Sequence, residues 1–286
     1  MSFTEQAIIF PCLGENLLAI VATPRQSKST GVMIIVGGPQ VRVGSHRQFL
    51  LLSRNLAEAG YSVMRFDCRG MGDSTGELHN FEAINEDIAA AIDAYQTSYP
   101  SIERIVLWGL CDAASAGLLY WDATTDPRVE GLVLLNPWVR SEATLARTQI
   151  KHYYGQRLLQ TEFWRKLLSG NLGVSKALGG LLGNLKKSRQ RINQANLTET
   201  QPFQKRMLRG MQGFTGPVLI VLSGNDYTAK EFLETVGKDK AWGSVLQRAN
   251  ITQTTIPEAD HTFSSAKWRA RVEEITRQWL DKKAEQ

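Results

Sequence analysis

Five consecutive residues, Gly109-Leu110-Cys111-Asp112-Ala113, follow a short apolar run, Ile105 to Trp108, and lead into a small-residue helical pattern. A strand, a sharp turn and a helix with a nucleophile at the turn read in this way, because a strained turn lifts the central side chain clear of the sheet. Cys111 holds the central position, and Ala113 stands where the pattern usually carries its second glycine. A cysteine taken alone is more often a small core residue. At the centre of this pattern it becomes the candidate nucleophile. Its reactive form is the thiolate, which a neighbouring histidine and a helix N-terminus both favour. Ser115 lies four residues on, a helical turn past the apex, and would point away from it.

A nucleophile of this kind needs a base, a group to orient the base, and donors for the oxyanion. The chain has four histidines, His46, His79, His152 and His261. His261 follows the last predicted strand and precedes the last predicted helix. It is placed to take the proton of Cys111 and deliver it to the leaving group. Asp226 ends the run Ser223-Gly224-Asn225-Asp226 after a late strand and would hold the other ring nitrogen, fixing the tautomer. Its competing reading is an ordinary turn residue. Asp260 is adjacent to His261 in sequence, but neighbouring residues seldom orient one another's side chains.

The oxyanion donors would be the backbone N–H of Asp112 and one from the loop Gly37-Gly38-Pro39-Gln40. Pro39 has no N–H, which leaves Gly38 or Gln40. No metal ligand set and no cofactor fingerprint accompanies these residues: there is no Gly-Lys-Ser/Thr loop and no dinucleotide signature after the first strand.

The elements that must position these groups alternate. Segments 6–11 and 17–23 read as two strands around Gly14-Glu15-Asn16. Further strands are predicted over 31–36, 61–66, 103–108, 131–135, 217–222 and 251–256. Helices are predicted over 47–59, 81–95, 112–121 and 263–282. Strands alternating with helices predict an α/β fold with a mainly parallel central sheet, its functional loops at the carboxyl ends of the strands. Between 137 and 212 the alternation stops. Helical patterns at 143–159, 162–168, 178–191 and 203–211 predict an inserted helical lid, with 1–136 and 213–286 forming the core.

Asp67-x-Arg-Gly-x-Gly-x-Ser74, the Cys111 elbow, Asp226 after a late strand and Asp260-His261 after the last strand together resemble the α/β-hydrolase family. The order nucleophile, acid, histidine is that family's order, and the resemblance spans nearly the whole chain outside the lid. More narrowly, Val36-Gly-Gly-Pro-Gln40, Gly44-Ser-His-Arg-Gln-Phe49 and the Gly-Leu-Cys-Asp-Ala elbow resemble the type-1 hydrolases associated with the bacterial exosortase A system. That likeness implies a setting near exopolysaccharide and protein-sorting functions. The Asp67 to Ser74 segment matches the family pattern, with a structural role expected for it.

Composition bounds the setting. The 286 residues are 43% hydrophobic, enough for one large core, and no run approaches the roughly 20 apolar residues of a membrane span. No secretory leader pattern opens the sequence. Three cysteines, Cys12, Cys68 and Cys111, give neither a disulfide framework nor a metal spacing, so a reducing, cytoplasmic setting is expected.

The net charge of +5 is uneven. Segment 137–212 holds fourteen of the 33 Lys/Arg and three of the 28 Asp/Glu, a balance of +11, leaving the rest of the chain at −6. A basic helical segment with interleaved aromatics suits an anionic membrane surface, hence a peripheral location, or an acidic acyl carrier protein. No nucleic-acid module accompanies the charge.

The expectation is a hydrolase of ester or thioester substrates working through Cys111, His261 and Asp226. An acyltransferase with the same acyl-enzyme and a non-catalytic binding protein on the same fold are the alternatives.

Overall fold

The computed structural model describes residues 3–38, 40–140 and 201–284. The chain divides into two compact units, Met1–Val139 with Pro202–Gln286, and Arg140–Gln201. The second lies almost wholly outside the described residues, and with it the helices expected at 143–159, 162–168 and 178–191.

The first unit is built on an eight-stranded sheet. Its strands are β1 (Phe3–Cys12), β2 (Glu15–Pro24), β3 (Thr30–Ile35), β4 (Ser62–Phe66), β5 (Arg104–Leu110), β6 (Val129–Leu135), β7 (Val218–Ser223) and β8 (Ile251–Ile256), in the order β1-β2-β4-β3-β5-β6-β7-β8. The β1–β2 hairpin pairs Phe3 with Pro24 through to Cys12 with Glu15, and β2 joins β4 antiparallel. From β4 through β3 to β8 every pairing is parallel. Strands β3 to β7 are apolar along almost their whole length because helices cover them on both faces.

Those helices are α1 (Gln48–Glu58), α2 (Asn85–Ser98), α3 (Asp112–Thr124), α4 (Phe203–Gly213), α5 (Tyr227–Lys238), α6 (Lys240–Leu246) and α7 (Ala266–Ala284). One layer sets α1 against α7, and the other joins α2, α3 and α4. In the centre Trp108 of β5 meets Phe49 of α1 edge to face, ring centroids 5.7 Å apart.

Three details depart from expectation. The helix expected at 81–95 starts later: Phe81–Ala83 is a single 3-10 turn, capped by Asn80 Oδ1 accepting from the Glu82 N–H, and α2 begins at Asn85. The last helix begins at Ala266 rather than at 263, because Phe263 sits in the left-handed region, φ 51°, with its ring buried. Two helices absent from the hydrophobic pattern fill 227–246, each started by an aspartate cap: Asp226 for α5 and Asp239 for α6.

Helix α4, assigned from sequence to the insertion, belongs to the core unit. Arg209 pairs with Asp122 at the C-terminal part of α3, at 2.6 Å, and Gly210 packs against the Leu118 carbonyl.

Candidate active site

The turn after β5 carries Cys111. Its backbone lies at φ 63°, ψ −122°, a conformation worth about 1–3 kcal/mol of strain in a residue with a side chain. The surroundings hold it there. The Cys111 N–H donates to Leu135 O at 2.8 Å, and the Cys111 carbonyl accepts from Trp138 N at 3.2 Å and Ser115 N at 3.3 Å.

The turn is tight enough that a Cβ on Gly109 would lie 2.5 Å from the Ala113 carbonyl carbon. That close approach is why the residues two before and two after Cys111 are small. Ser115 is removed from contention: it is fully buried and its hydroxyl donates to Trp138 O at 2.7 Å.

Asp226 leaves β7 through Gly224-Asn225 and caps α5. Its carboxylate accepts the N–H groups of Thr228, at 3.2 Å, and Ala229, at 3.1 Å. Oδ2 also holds His261 Nδ1 at 2.9 Å. Burial alone would raise the Asp226 carboxyl, but the His261 hydrogen bond and the two N–H donors hold it below its ordinary value. His261 responds in the opposite sense. Its imidazole is raised from 6.5 to about 10, first by the Asp226 hydrogen bond and then by the influence of the Cys111 side chain.

The three residues expected from the sequence therefore meet in one place, on the carboxyl ends of β5, β7 and β8. Asp260 does not orient the ring. Its carboxylate accepts from Ser264 N at 2.9 Å and from the Ser264 hydroxyl, closing the turn that presents His261.

One further residue builds the site and belongs to no sequence motif. Asn136, fully buried at the end of β6 with φ 43°, donates from Nδ2 to Ser223 Oγ at 2.9 Å and to the His261 carbonyl at 3.0 Å. Its Oδ1 accepts from Ser223 N at 2.8 Å, and Ser223 Oγ donates to Asp260 O at 2.8 Å. Asn136 thus ties β6 and β7 to the loop that carries the histidine. The only signal in the sequence is an asparagine ending an apolar strand, a residue type that tolerates the left-handed region.

The loop after β3 departs from its expected role. Gly38 N–H, a candidate oxyanion donor, is engaged: it donates to Asp112 Oδ2 at 2.8 Å. The Asp112 Oδ1 accepts from Ala113 N at 3.0 Å. Gln40 places its side-chain oxygen in a buried position without a hydrogen-bond partner. Beside this loop lies a cleft of about 440 Å³. Its inner wall is Gly37, Gly38 and Asp112, and its sides include Met71, Phe81 and Ile84.

The Asp67–Ser74 segment proves to be scaffold. Arg42 pairs with Asp67 and, at 2.5 Å, with Asp73, while Ser74 Oγ donates to Asp67 O at 2.7 Å. Arg69 forms a bidentate pair with buried Asp87, with contacts down to 2.7 Å. Among the described residues no cluster of three or more His, Cys, Asp or Glu is arranged to hold a metal. No described helix is long and apolar enough to cross a membrane.

Residues 28–262 match the family described as serine aminopeptidase, S33. The chain belongs to that family of hydrolases. It is an enzyme of the α/β-hydrolase fold.

Solved structures share the architecture. The esterase Pf2001 of Pyrococcus furiosus superposes with a TM-score of 0.62 at 17% identity, over 97% of this chain and 93% of that one. Est1E of Butyrivibrio proteoclasticus, solved with ferulic acid bound, gives 0.62 at 16% identity over 98% and 100%. An acylaminoacyl peptidase of Pyrococcus horikoshii gives 0.60 at 13% identity, over 98% of this chain and 41% of that one. At these identities the likeness is one of fold. No curated protein matches the chain at a significant level.

Proposed function

We propose that this hydrolase acts on esters or thioesters through an acyl-cysteine at Cys111. The observation that carries the reading is His261, held at Nδ1 by Asp226 at 2.9 Å, with the Cys111 side chain among the groups that raise its imidazole. Raised to about 10, the imidazole is charged at neutral pH.

The thiolate sulfur attacks the carbonyl carbon, and the π pair moves onto oxygen. Collapse of that intermediate re-forms the carbonyl and expels the alcohol or thiol, which leaves with the proton of His261. His261, now neutral, takes a proton from water as the water oxygen attacks the acyl-cysteine. Release of the acid returns the thiolate. Asp226 stays ionised throughout, keeping Nδ1 protonated and the ring in place.

Such a thiolate pair suits activated esters and thioesters better than amides, whose leaving group is far more basic. That separates this reading from the aminopeptidase activity in the family's description.

The same acyl-enzyme would serve an acyltransferase if an alcohol replaced water. The likeness of Val36–Gln40 and Gly44–Phe49 to exosortase-associated enzymes points such an acceptor towards a saccharide. The basic balance of 137–212 points the donor towards an acidic carrier protein or an anionic membrane surface.

The test is mass spectrometry of the intact protein after brief exposure to p-nitrophenyl esters and coenzyme thioesters. One acyl group on Cys111, absent from Cys111→Ala, is expected. Turnover without any adduct, unaffected by Cys111→Ala, would overturn the proposal. Product analysis with and without added alcohols then separates hydrolysis from transfer.

A further inference from the structure

The Asp112 side chain does something the reaction above has no use for. Its Oδ2 takes the Gly38 N–H at 2.8 Å and its Oδ1 the Ala113 N–H at 3.0 Å. Gly38 was expected to supply one oxyanion donor, and Asp112's own N–H the other. A carboxylate oxygen therefore holds one of the two N–H groups expected to receive the oxygen of a tetrahedral intermediate.

The fit is close. A Cβ on Gly37 would stand 2.0 Å from Asp112 Oδ1, so only glycine leaves room for the carboxylate. The contact spans 74 residues of sequence and joins the β3 loop to the start of α3. Among the described residues no Lys or Arg pairs with Asp112, which faces a cleft with Met71, Phe81 and Ile84 on its sides. Burial pushes its carboxyl up, opposed by the Gly38 and Ala113 N–H groups.

An N–H that donates to a carboxylate at 2.8 Å is not free to stabilise a second anionic oxygen. Two negative oxygens side by side also repel one another. We propose that Asp112 gates acylation: its carboxylate fills the oxyanion position in the free enzyme and must leave the Gly38 N–H before a carbonyl can be attacked by Cys111. The gate rests on the acyl-cysteine reading and adds a step to it. When the carboxylate swings away, the N–H of Gly38 becomes available to the oxygen that receives the π pair. When the alcohol or thiol has left and the carbonyl has re-formed, the site can close again.

Two probes of the full-length protein separate the gate from the nucleophile. Iodoacetamide alkylates Cys111 by displacing iodide from a saturated carbon, with no oxyanion. p-Nitrophenyl acetate acylates it through one. The ratio of first-turnover acylation to alkylation is measured for wild type, Asp112→Ala and Asp112→Asn.

Removing the carboxylate in Asp112→Ala should raise that ratio roughly tenfold or more, in keeping with the size of oxyanion effects. Asp112→Asn keeps the shape but bonds Gly38 as a neutral acceptor, and should raise it less, by a few-fold. Asp112→Asn also covers the case in which Asp112→Ala fails to fold. An unchanged or lower ratio in the folded variants overturns the gate. Failure of the acyl-cysteine reading looks different: p-nitrophenolate release then persists in Cys111→Ala, whatever stands at 112.

Discussion

Asn136 and Ser223 exchange two hydrogen bonds at the carboxyl ends of neighbouring strands, Nδ2 to Oγ at 2.9 Å and backbone N to Oδ1 at 2.8 Å. The same Asn136 nitrogen reaches the His261 carbonyl. This clasp makes the position of the histidine a property of β6 and β7 as well as of its own loop.

Asn136→Ala leaves the buried Ser223 N–H, and with it the His261 carbonyl, short of a partner. An unsatisfied buried polar group costs about 1–3 kcal/mol, so a loss of that order is expected in denaturant unfolding. Esterase turnover should fall further than stability alone accounts for, because the histidine loop is loosened. Full turnover in Asn136→Ala at a temperature where it is fully folded would show that the clasp does not position His261.

Gly109→Ala tests the elbow. The added methyl would lie 2.5 Å from the Ala113 carbonyl carbon, which is backbone and cannot rotate away. Overpacking of this kind costs roughly 1–3 kcal/mol. A melting temperature equal to wild type would mean that α3 can retreat from β5.

Ser115 and Cys111 should separate cleanly. Ser115→Ala removes the hydroxyl bonded to Trp138 O and should lower stability by about 1 kcal/mol, with thiol alkylation and turnover retained. Cys111→Ala should abolish the adduct while Cys12 and Cys68, both buried, stay unlabelled in the folded protein. Rapid labelling at Cys12 or Cys68 would remove the distinction on which Cys111 stands.

The pH dependence follows from His261 and Asp226. His261 rises on folding from 6.5 to about 10. A group raised in this way stabilises the folded state fully below 6.5, and that contribution is lost as pH climbs through about 10. Asp226 is lowered, so its share is present above its ordinary 3.8 and is lost as pH falls through the lowered value. In Asp226→Asn the imidazole should titrate closer to 6.5, so the alkaline loss of stability should be smaller and complete at a lower pH. NMR titration of the four histidines reads this directly. A wild-type His261 midpoint near 6.5 would contradict it.

Much of this could be read from the chain because the informative features are local. The elbow shows in its small flanking residues, since backbone approaches backbone at Gly109 and Ala113. The parallel strands show as apolar runs, since both faces are covered. Asp226 and His261 show by their place after late strands.

What could not be read rests on contacts between distant segments. Asp112 meets Gly38 across 74 residues and Asn136 meets His261 across 125. A side chain that bonds one backbone group far away leaves no periodic trace. The helices over 227–246 start at single aspartate caps, Asp226 and Asp239, and the first of these is in the sequence also a turn residue and a triad candidate. The last helix starts three residues later than its hydrophobic pattern because the left-handed backbone of Phe263, not its hydrophobicity, sets the start.

The clasp at Asn136 also has a consequence for how the enzyme comes into being on the ribosome. Cys111 and the β6 anchor are complete by residue 136, yet His261 arrives only with the turn after β8. A nascent chain released after residue 250 would hold Cys111 without His261. The proposed reaction would therefore have to wait for the turn after β8.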